Sequence, residues 1–499
     1  MKNLYLYITL LAVTVMSLFS GCNSSFLEED PNRYISSDQL QENARWNPNI
    51  LLGQALGIYQ TTIITRTGGT TGQNDFGQKS VDIATDLMSG DLALSGEMYG
   101  WFADDAKLVN TSRTHDRAYM IWRYYYRIIK ACNEIFDTVG GDENLPEDET
   151  NQIYYAQAKV MRAHSYFNLV NLYAKQYDVA KNEKAIPVYR SQLTSETKGL
   201  STVDEVYTLI LSDMTEAVKI LEDSNFKRPG DTRDQVDQWV AKGILAYVYL
   251  TMGDNENAAE VSKNVIENSP FRLMTSEEII NTGFRTYNLP SFMWAFDITM
   301  DNRGGLAGFW GQLDYFTYSY TFAGDRMMLD DNVYYDIPGS DTRKKWFLAD
   351  TPTAKQPRIS WYKFYSAARV AGSDRNWIND VVFMRLEEMY LINAEANARR
   401  GRLDLALQYY ADFMQERDAA TAATLATLGP DDLLENIYFN WRLEMWAEGR
   451  GLMTMKRFKK TVTRAANNFS QPGVAISYDD PRMIFNIPER EITNNPNLN

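Results

Sequence analysis

The sequence predicts a mainly α-helical protein of tetratricopeptide-like helical hairpins, with long irregular loops and a few short strands. Three observations carry that expectation. Most of the chain repeats its apolar residues at the helical period. Two segments share one spacing of small residues and a turn, which lets paired helices approach closely and stack. Two other stretches abandon that pattern for glycine-rich, polar or aromatic sequence.

The first residues read as an export signal. Lys2 supplies a positive start, Leu4 to Phe19 is apolar but short for a membrane span, and Ser20 and Gly21 suit a signal peptidase. Residues 1–21 are therefore expected to be a lipoprotein signal peptide, and 22–499 a single helical domain. Ser-Gly-Cys resembles a bacterial lipobox, so Cys22 is the expected lipidation site; Phe19 stands where that pattern more often has Leu. Cys132, in YRIIKACNEIF, falls on an apolar helix face and reads as a small buried residue, not a disulfide partner.

The helices follow in order. RAYMIWRYYYRIIKACNEIFDTV (117–139) and NQIYYAQAKVMRAHSYFNLVNLYAKQY (151–177) are long and amphipathic. Residues 201–221 open with Ser201 and Asp204 in a capping-box pattern. Residues 236–270 read as helix, Gly-Asp turn, helix. There Ala246, Gly253, Ala258 and Pro270 match a tetratricopeptide repeat, with Tyr249 at its tyrosine position. Residues 381–420 repeat the plan with Ala394, Gly401 and Ala406; Ala163 and Tyr166 keep the offset of Ala246 and Tyr249. Residues 431–458 supply the last helices. The irregular stretches are about 62–106 and 271–380, and long insertions in a rigid scaffold are where binding residues concentrate.

A formal net charge of −15 repels phosphate backbones and excludes nucleic acid as the expected partner. Two cysteines and two histidines, His115 and His164, leave little for a zinc cluster or a histidine triad, and no metal or cofactor site is expected. No phosphate loop, dinucleotide fingerprint, Gly-x-Ser-x-Gly elbow or His-Glu-x-x-His occurs. Acidic pairs such as Glu387/Glu388 and Asp330/Asp331 are common enough to be chance, mostly on solvated faces. The sharper signal is aromatic. Tyr99 and Trp101 flank Gly100 in one loop; Trp310 and Tyr315 flank GQLD in another. The alternation Phe316, Tyr318, Tyr320, Phe322 has the period of a strand. Rings on loops make flat platforms for sugar faces, or else anchor their own loops; neighbouring acids would bond hydroxyls. Tyr99, Trp101, Trp310 and Tyr315 are the expected platforms, with Asp86 and Asp314 as polar partners.

Four motifs in order resemble the SusD/RagB-type outer-membrane lipoproteins of Bacteroidetes: CNSSFLEEDPN, AKVMRAHSYFNLVNLYA, VVFMRLEEMYLINAEANARRG and the closing IFNIPEREITNNPNLN. One departure falls in RLEMWAEGRGLMTMKRF, where the family usually has an Arg near Gly451 and an Asp near Thr454. Arg442, Glu444 and Glu448 are expected to hold helices together. The resemblance implies a non-catalytic, lipid-anchored, surface-exposed subunit of the outer membrane. It would capture an oligosaccharide and deliver it to a SusC-like TonB-dependent barrel. It also implies a binding region at roughly 70–105 and 295–320. The alternatives are a peptide-capturing member, a glycoside hydrolase and a tetratricopeptide adaptor for a protein partner.

Overall fold

The computed structural model describes residues 37–44, 47–193, 196–351 and 357–498; the expected leader, Cys22 and the motif that follows it lie outside the described residues. The fold is mainly helical. Helices α1 (Ser37–Ala44), α2 (Asn49–Thr61) and α3 (Gln78–Ser89) lead to strand β1 (Leu92–Leu94). Next come α4 (Asp116–Thr138), α5 (Glu149–Tyr173), α6 (Val203–Asp223), α7 (Gln238–Met252) and α8 (Asn255–Asn268). Strands β2 (Phe292–Phe296), β3 (Met327–Leu329) and β4 (Val381–Arg385) precede α9 (Leu386–Arg399) and α10 (Leu403–Gln415). The chain continues through α11 (Pro430–Glu444), α12 (Gly451–Arg457), β5 (Thr461–Thr463) and β6 (Ala475–Ser477).

Local chemistry starts each long helix. His115 Nδ1 accepts the Arg117 amide at the head of α4, and Asp148 accepts the Asn151 amide at the head of α5. The capping box of α6 is formed by Thr202 and Glu205, one residue on from the expected pair, because Thr202 is the last extended residue. Consecutive helices pack as antiparallel pairs. Buried Arg162 on α5 joins three of them, with Nε and Nη2 each 2.8 Å from the Asp213 carboxylate of α6 and Nη1 3.0 Å from Asn133 of α4.

The two matching segments form the expected hairpins. Gly253 (φ +82°) and Gly401 (φ +70°) turn the chain in the left-handed region, where glycine carries no Cβ penalty. Ala246, Ala258, Ala394 and Ala406 are all buried. The hairpins stack: Asn393 of α9 donates to Ala259 O of α8 at 2.9 Å. One contiguous apolar core runs through these helices and includes Cys132, which is a free thiol.

A buried ionic knot closes the C-terminal half. Glu444 at the end of α11 accepts from Arg385 (3.0 Å), Arg417 (3.0 Å) and Arg343 (3.2 Å). Glu448 accepts from Arg385 and Lys363 at 2.8 and 2.7 Å. Burial alone would push the Glu448 carboxyl up, but Arg385 and Lys363 hold it at about 2; burial pushes the Lys363 ammonium down to about 8. Glu387 and Glu388 belong here too: both are fully buried, with Glu387 on Arg417 and Glu388 on Arg450, and neither lies on a solvated face.

Strands pair, among the described residues, as antiparallel ribbons: β1 with β3, β2 with β4, β5 with β6. The predicted strand over 316–322 is absent. Asp314 accepts the Phe316 and Thr317 amides, and Ser319 accepts the Phe322 amide to cap a helical turn at Tyr320–Ala323. Side-chain acceptors thus take the donors that a strand ladder would need.

Candidate functional site

The β1–β3 ribbon brings the two irregular stretches together. Its register pairs Leu94 with Met327, so the segment leaving β1 runs beside the one entering β3. The Ser95 amide bonds Arg326 O at 2.9 Å. Asp325, 2% exposed, then braces the loop: its two carboxylate oxygens accept the amides of Met98 (2.7 Å) and Tyr99 (2.8 Å). Hydrogen bonds to an ionised acceptor contribute about 1.5–3 kcal/mol each. Gly100, at φ +78°, turns the chain between the two rings that follow and precede it.

Three rings meet above this brace. The Tyr99 and Tyr320 centroids lie 5.0 Å apart, edge to face, and Trp101 lies 6.4 Å from Tyr320. Tyr320 is fixed from below, donating its hydroxyl to Gln73 Oε1 at 2.6 Å. Gln73 belongs to a loop that Asp75 folds by accepting the Gly68 and Thr70 amides at 2.8 and 3.0 Å. Tyr99 remains 46% and Met98 75% exposed, and Trp101 is partly exposed. Beyond them, half-buried Tyr315 and Tyr318 flank Phe322 at 6.1 and 6.2 Å. The Arg375 guanidinium stacks 4.1 Å from the Tyr318 ring.

Three of the expected site residues are not on this surface. Trp310 sits in the helical turn Phe309–Leu313, is 3% exposed and donates Nε1 to Asp380 O at 2.9 Å. Gly311 allows that burial, since a Cβ there would run into the Gly305 carbonyl. Asp314 is fully buried and holds its own turn, accepting also the Ser366 amide; burial pushes its carboxyl up to about 6 despite those bonds. Asp86 is buried in α3 and accepts the Gly449 and Gly451 amides, both at 2.9 Å, so it anchors the start of α12. Burial pushes it up to about 7. Asp314 also accepts the Thr317 hydroxyl at 2.6 Å, and a buried acid whose oxygens are taken up by the protein's own donors presents nothing to a ligand. Tyr99, Trp101 and Tyr315 do reach the face. In sequence Tyr320 reads as one ring of a strand, and Asp325 and Gln73 were not singled out; their signal is a pairing across 226 residues between Tyr99 and Asp325, which no local pattern encodes.

Fold and face together define a tetratricopeptide-like helical protein carrying an aromatic loop surface. Two family models match it in succession: one described as starch-binding and associating with the outer membrane over residues 58–250, the other as the SusD family over residues 329–499. The chain belongs to the SusD/RagB family. The SusD-like protein P2 of Formosa agariphila is 25% identical over 456 residues, covering 83% of this chain and 86% of that protein. A SusD-like carbohydrate-binding protein from Bacteroides vulgatus superposes with a TM-score of 0.76 at 24% identity, covering 90% of this chain and 97% of that one. The surface glycan-binding protein A of Bacteroides thetaiotaomicron, solved with laminarihexaose, superposes with a TM-score of 0.64 at 16% identity, covering 89% and 97%. At these identities the structural likeness establishes the fold. No helix among the described residues is long and apolar enough to cross a membrane.

Proposed function

We propose that this protein is an outer-membrane lipoprotein, anchored through Cys22, that captures an oligosaccharide on the Tyr99–Trp101–Tyr320 face and passes it to a SusC-like TonB-dependent barrel. The single observation that carries the reading is the braced ring cluster. Two partly exposed rings project from a loop held by Asp325 and rest on a third ring held by Gln73. Rigid rings with polar rims suit the apolar C–H faces of sugars. The family's description as starch-binding and the laminarihexaose complex of a structural neighbour support a glycan as the ligand.

The protein acts by binding, without chemistry on the sugar. Glycosidic cleavage needs two carboxylates free to face the bond, and Asp325, the acid directly beneath the rings, is bound to the Met98 and Tyr99 amides. The test has three arms. Glycan pull-down should succeed with no release of reducing sugar. Cys22→Ser should move the protein out of the membrane fraction. The lipidated form should co-purify with a TonB-dependent barrel. Release of reducing sugar, binding of peptides alone, or membrane retention of Cys22→Ser would each contradict the corresponding part.

A further inference from the structure

We propose that the saccharide this face accepts is acidic, bearing carboxylate or sulfate groups; the proposal rests on the reading that the face binds a glycan. The observation is an imbalance of pairing. Elsewhere in the fold most arginines are matched to carboxylates, as Arg343, Arg385 and Arg417 in the ionic knot, Arg162 on Asp213 and Arg457 on Glu395; Arg233 and Arg464 donate to backbone carbonyls instead. Around the aromatic face arginines are not so matched. Among the described residues Arg123, Arg127, Arg303, Arg326, Arg369 and Arg375 make no ion pair.

The cause is visible in four acids of the same region, which brace loops instead, while Glu97, Asp297 and Asp301 stay exposed. Asp325 binds the Met98 and Tyr99 amides, Asp314 those of Phe316, Thr317 and Ser366, and Asp75 those of Gly68 and Thr70. Asp374 accepts from the Asn376 amide and the Ser366 hydroxyl at 2.9 and 2.6 Å. The guanidiniums stack on rings, Arg375 on Tyr318 at 4.1 Å and Arg303 on Trp377 at 5.9 Å; one N–H of Arg303 and one of Arg369 also donate to the Asn376 and Trp361 carbonyls, which leaves the others unengaged. Arg369 lies within 4.7 Å of Phe316, Trp361, Tyr362 and Tyr365. Stacking fixes the plane of a guanidinium and leaves its edge N–H groups to meet a planar or tetrahedral anion. Arg326 Nε is buried without a partner.

The cationic surface continues across the 66–75 loop. One edge of that loop touches the rings, through Gln73 on Tyr320 and Gly72 beside Trp101. The other touches α4, where Arg127 donates to Thr67 O at 3.2 Å and Arg123 lies against Gly69. There Arg123 and Arg127 rim an open groove floored by Tyr119, Tyr126 and Tyr189, with Glu491 as its carboxylate. Rings and uncompensated cations therefore alternate along one path, as a chain of acidic sugars would require. In a protein of formal net charge −15, an acidic polymer is repelled everywhere except where such a concentration of cations receives it.

The purified full chain is titrated calorimetrically at low and high salt with oligomers of polygalacturonate, of a sulfated galactan, of neutral galactan and of neutral glucan, and with polyglutamate. At least one acidic saccharide should bind about tenfold tighter than every neutral one and weaken with salt. Arg375→Gln and Arg123→Gln, both exposed, should each lower that affinity about tenfold or more, the worth of one charge-assisted hydrogen bond. Arg402→Gln, in the α9–α10 turn, should leave it unchanged. Equal or tighter neutral binding, or silent Arg375 and Arg123 variants, overturns the proposal. If Trp101→Ala still abolishes the neutral binding, the aromatic-face reading survives alone. Acidic binding indifferent to Tyr99→Ala and Trp101→Ala overturns the aromatic face itself, and no saccharide binding overturns both. Polyglutamate binding as tight as polygalacturonate assigns the cations to acidic peptides and also overturns the proposal.

Discussion

Asp325→Asn isolates the brace under the exposed rings. An amide offers one acceptor oxygen where the carboxylate offers two, so either the Met98 or the Tyr99 amide must face an N–H donor. The local loss is one charge-assisted hydrogen bond plus a donor left unmatched, about 2–4 kcal/mol together. Because both bonds tie a surface segment to the β3 entrance, the loss should appear as local opening of the 95–101 loop rather than global unfolding. Each 1.4 kcal/mol is a factor of ten, so loop opening should become at least about tenfold more frequent. Ligand affinity should fall in proportion to the fraction of closed loop. Hydrogen exchange read by mass spectrometry should show faster exchange confined to peptides covering 95–101, with the core helices unchanged and Tm moved by no more than a few degrees. Unchanged exchange over 95–101, or faster exchange throughout the chain, would refute the brace.

Trp310→Ala should cost about 3–5 kcal/mol in denaturant unfolding, as for any buried aromatic, while Trp101→Ala should cost less than about 1 kcal/mol; the reverse order would return Trp310 to the surface. Glu444→Gln leaves three buried arginines short of a counter-charge and should destabilise by about 3–5 kcal/mol, whereas equal stability would show the knot to be energetically slack. His164 packs edge-on to Trp294 at 5.6 Å, and burial, with a smaller push from Arg450, lowers its pKa to about 3. Its folded value lies below the ordinary 6.5, so its contribution is present above pH 6.5 and lost as pH falls toward 3. The stability advantage of wild type over His164→Gln should therefore narrow on acidification from neutral pH, by about 1.4 kcal/mol per pH unit at most; a constant or widening gap would contradict the assignment.

Features with a local physical cause were legible in the sequence. Helix periodicity, the Gly253 and Gly401 turns and the alanines at the crossings each follow from neighbours a few residues away. The aromatic loops were also visible as departures from that pattern, which located the face to within a segment. What failed depended on distant partners. Trp310 and Tyr99 look alike in sequence, each beside a glycine in a loop; only the Asp380 carbonyl and the close approach of Gly305 bury the first, and only Asp325 lifts the second. Asp86 and Asp314 looked like polar partners for a ligand because no local rule says which backbone amides will arrive beside them. Glu387 and Glu388 misled for the same reason, since burial with Arg417 and Arg450 is a tertiary fact. The strand expected at 316–322 failed locally instead: Asp314 and Ser319 are turn-forming residues whose acceptors outweighed the alternation.

The most direct measurement is glycan binding by the wild-type chain beside Tyr99→Ala, Trp101→Ala and the double variant, with Tm recorded for each. The face assigned here predicts that wild type binds an oligosaccharide, that each single variant weakens it about tenfold or more, and that the double variant abolishes it, all with Tm nearly unchanged. Binding at wild-type strength by the double variant would place the ligand elsewhere on the molecule and contradict the account.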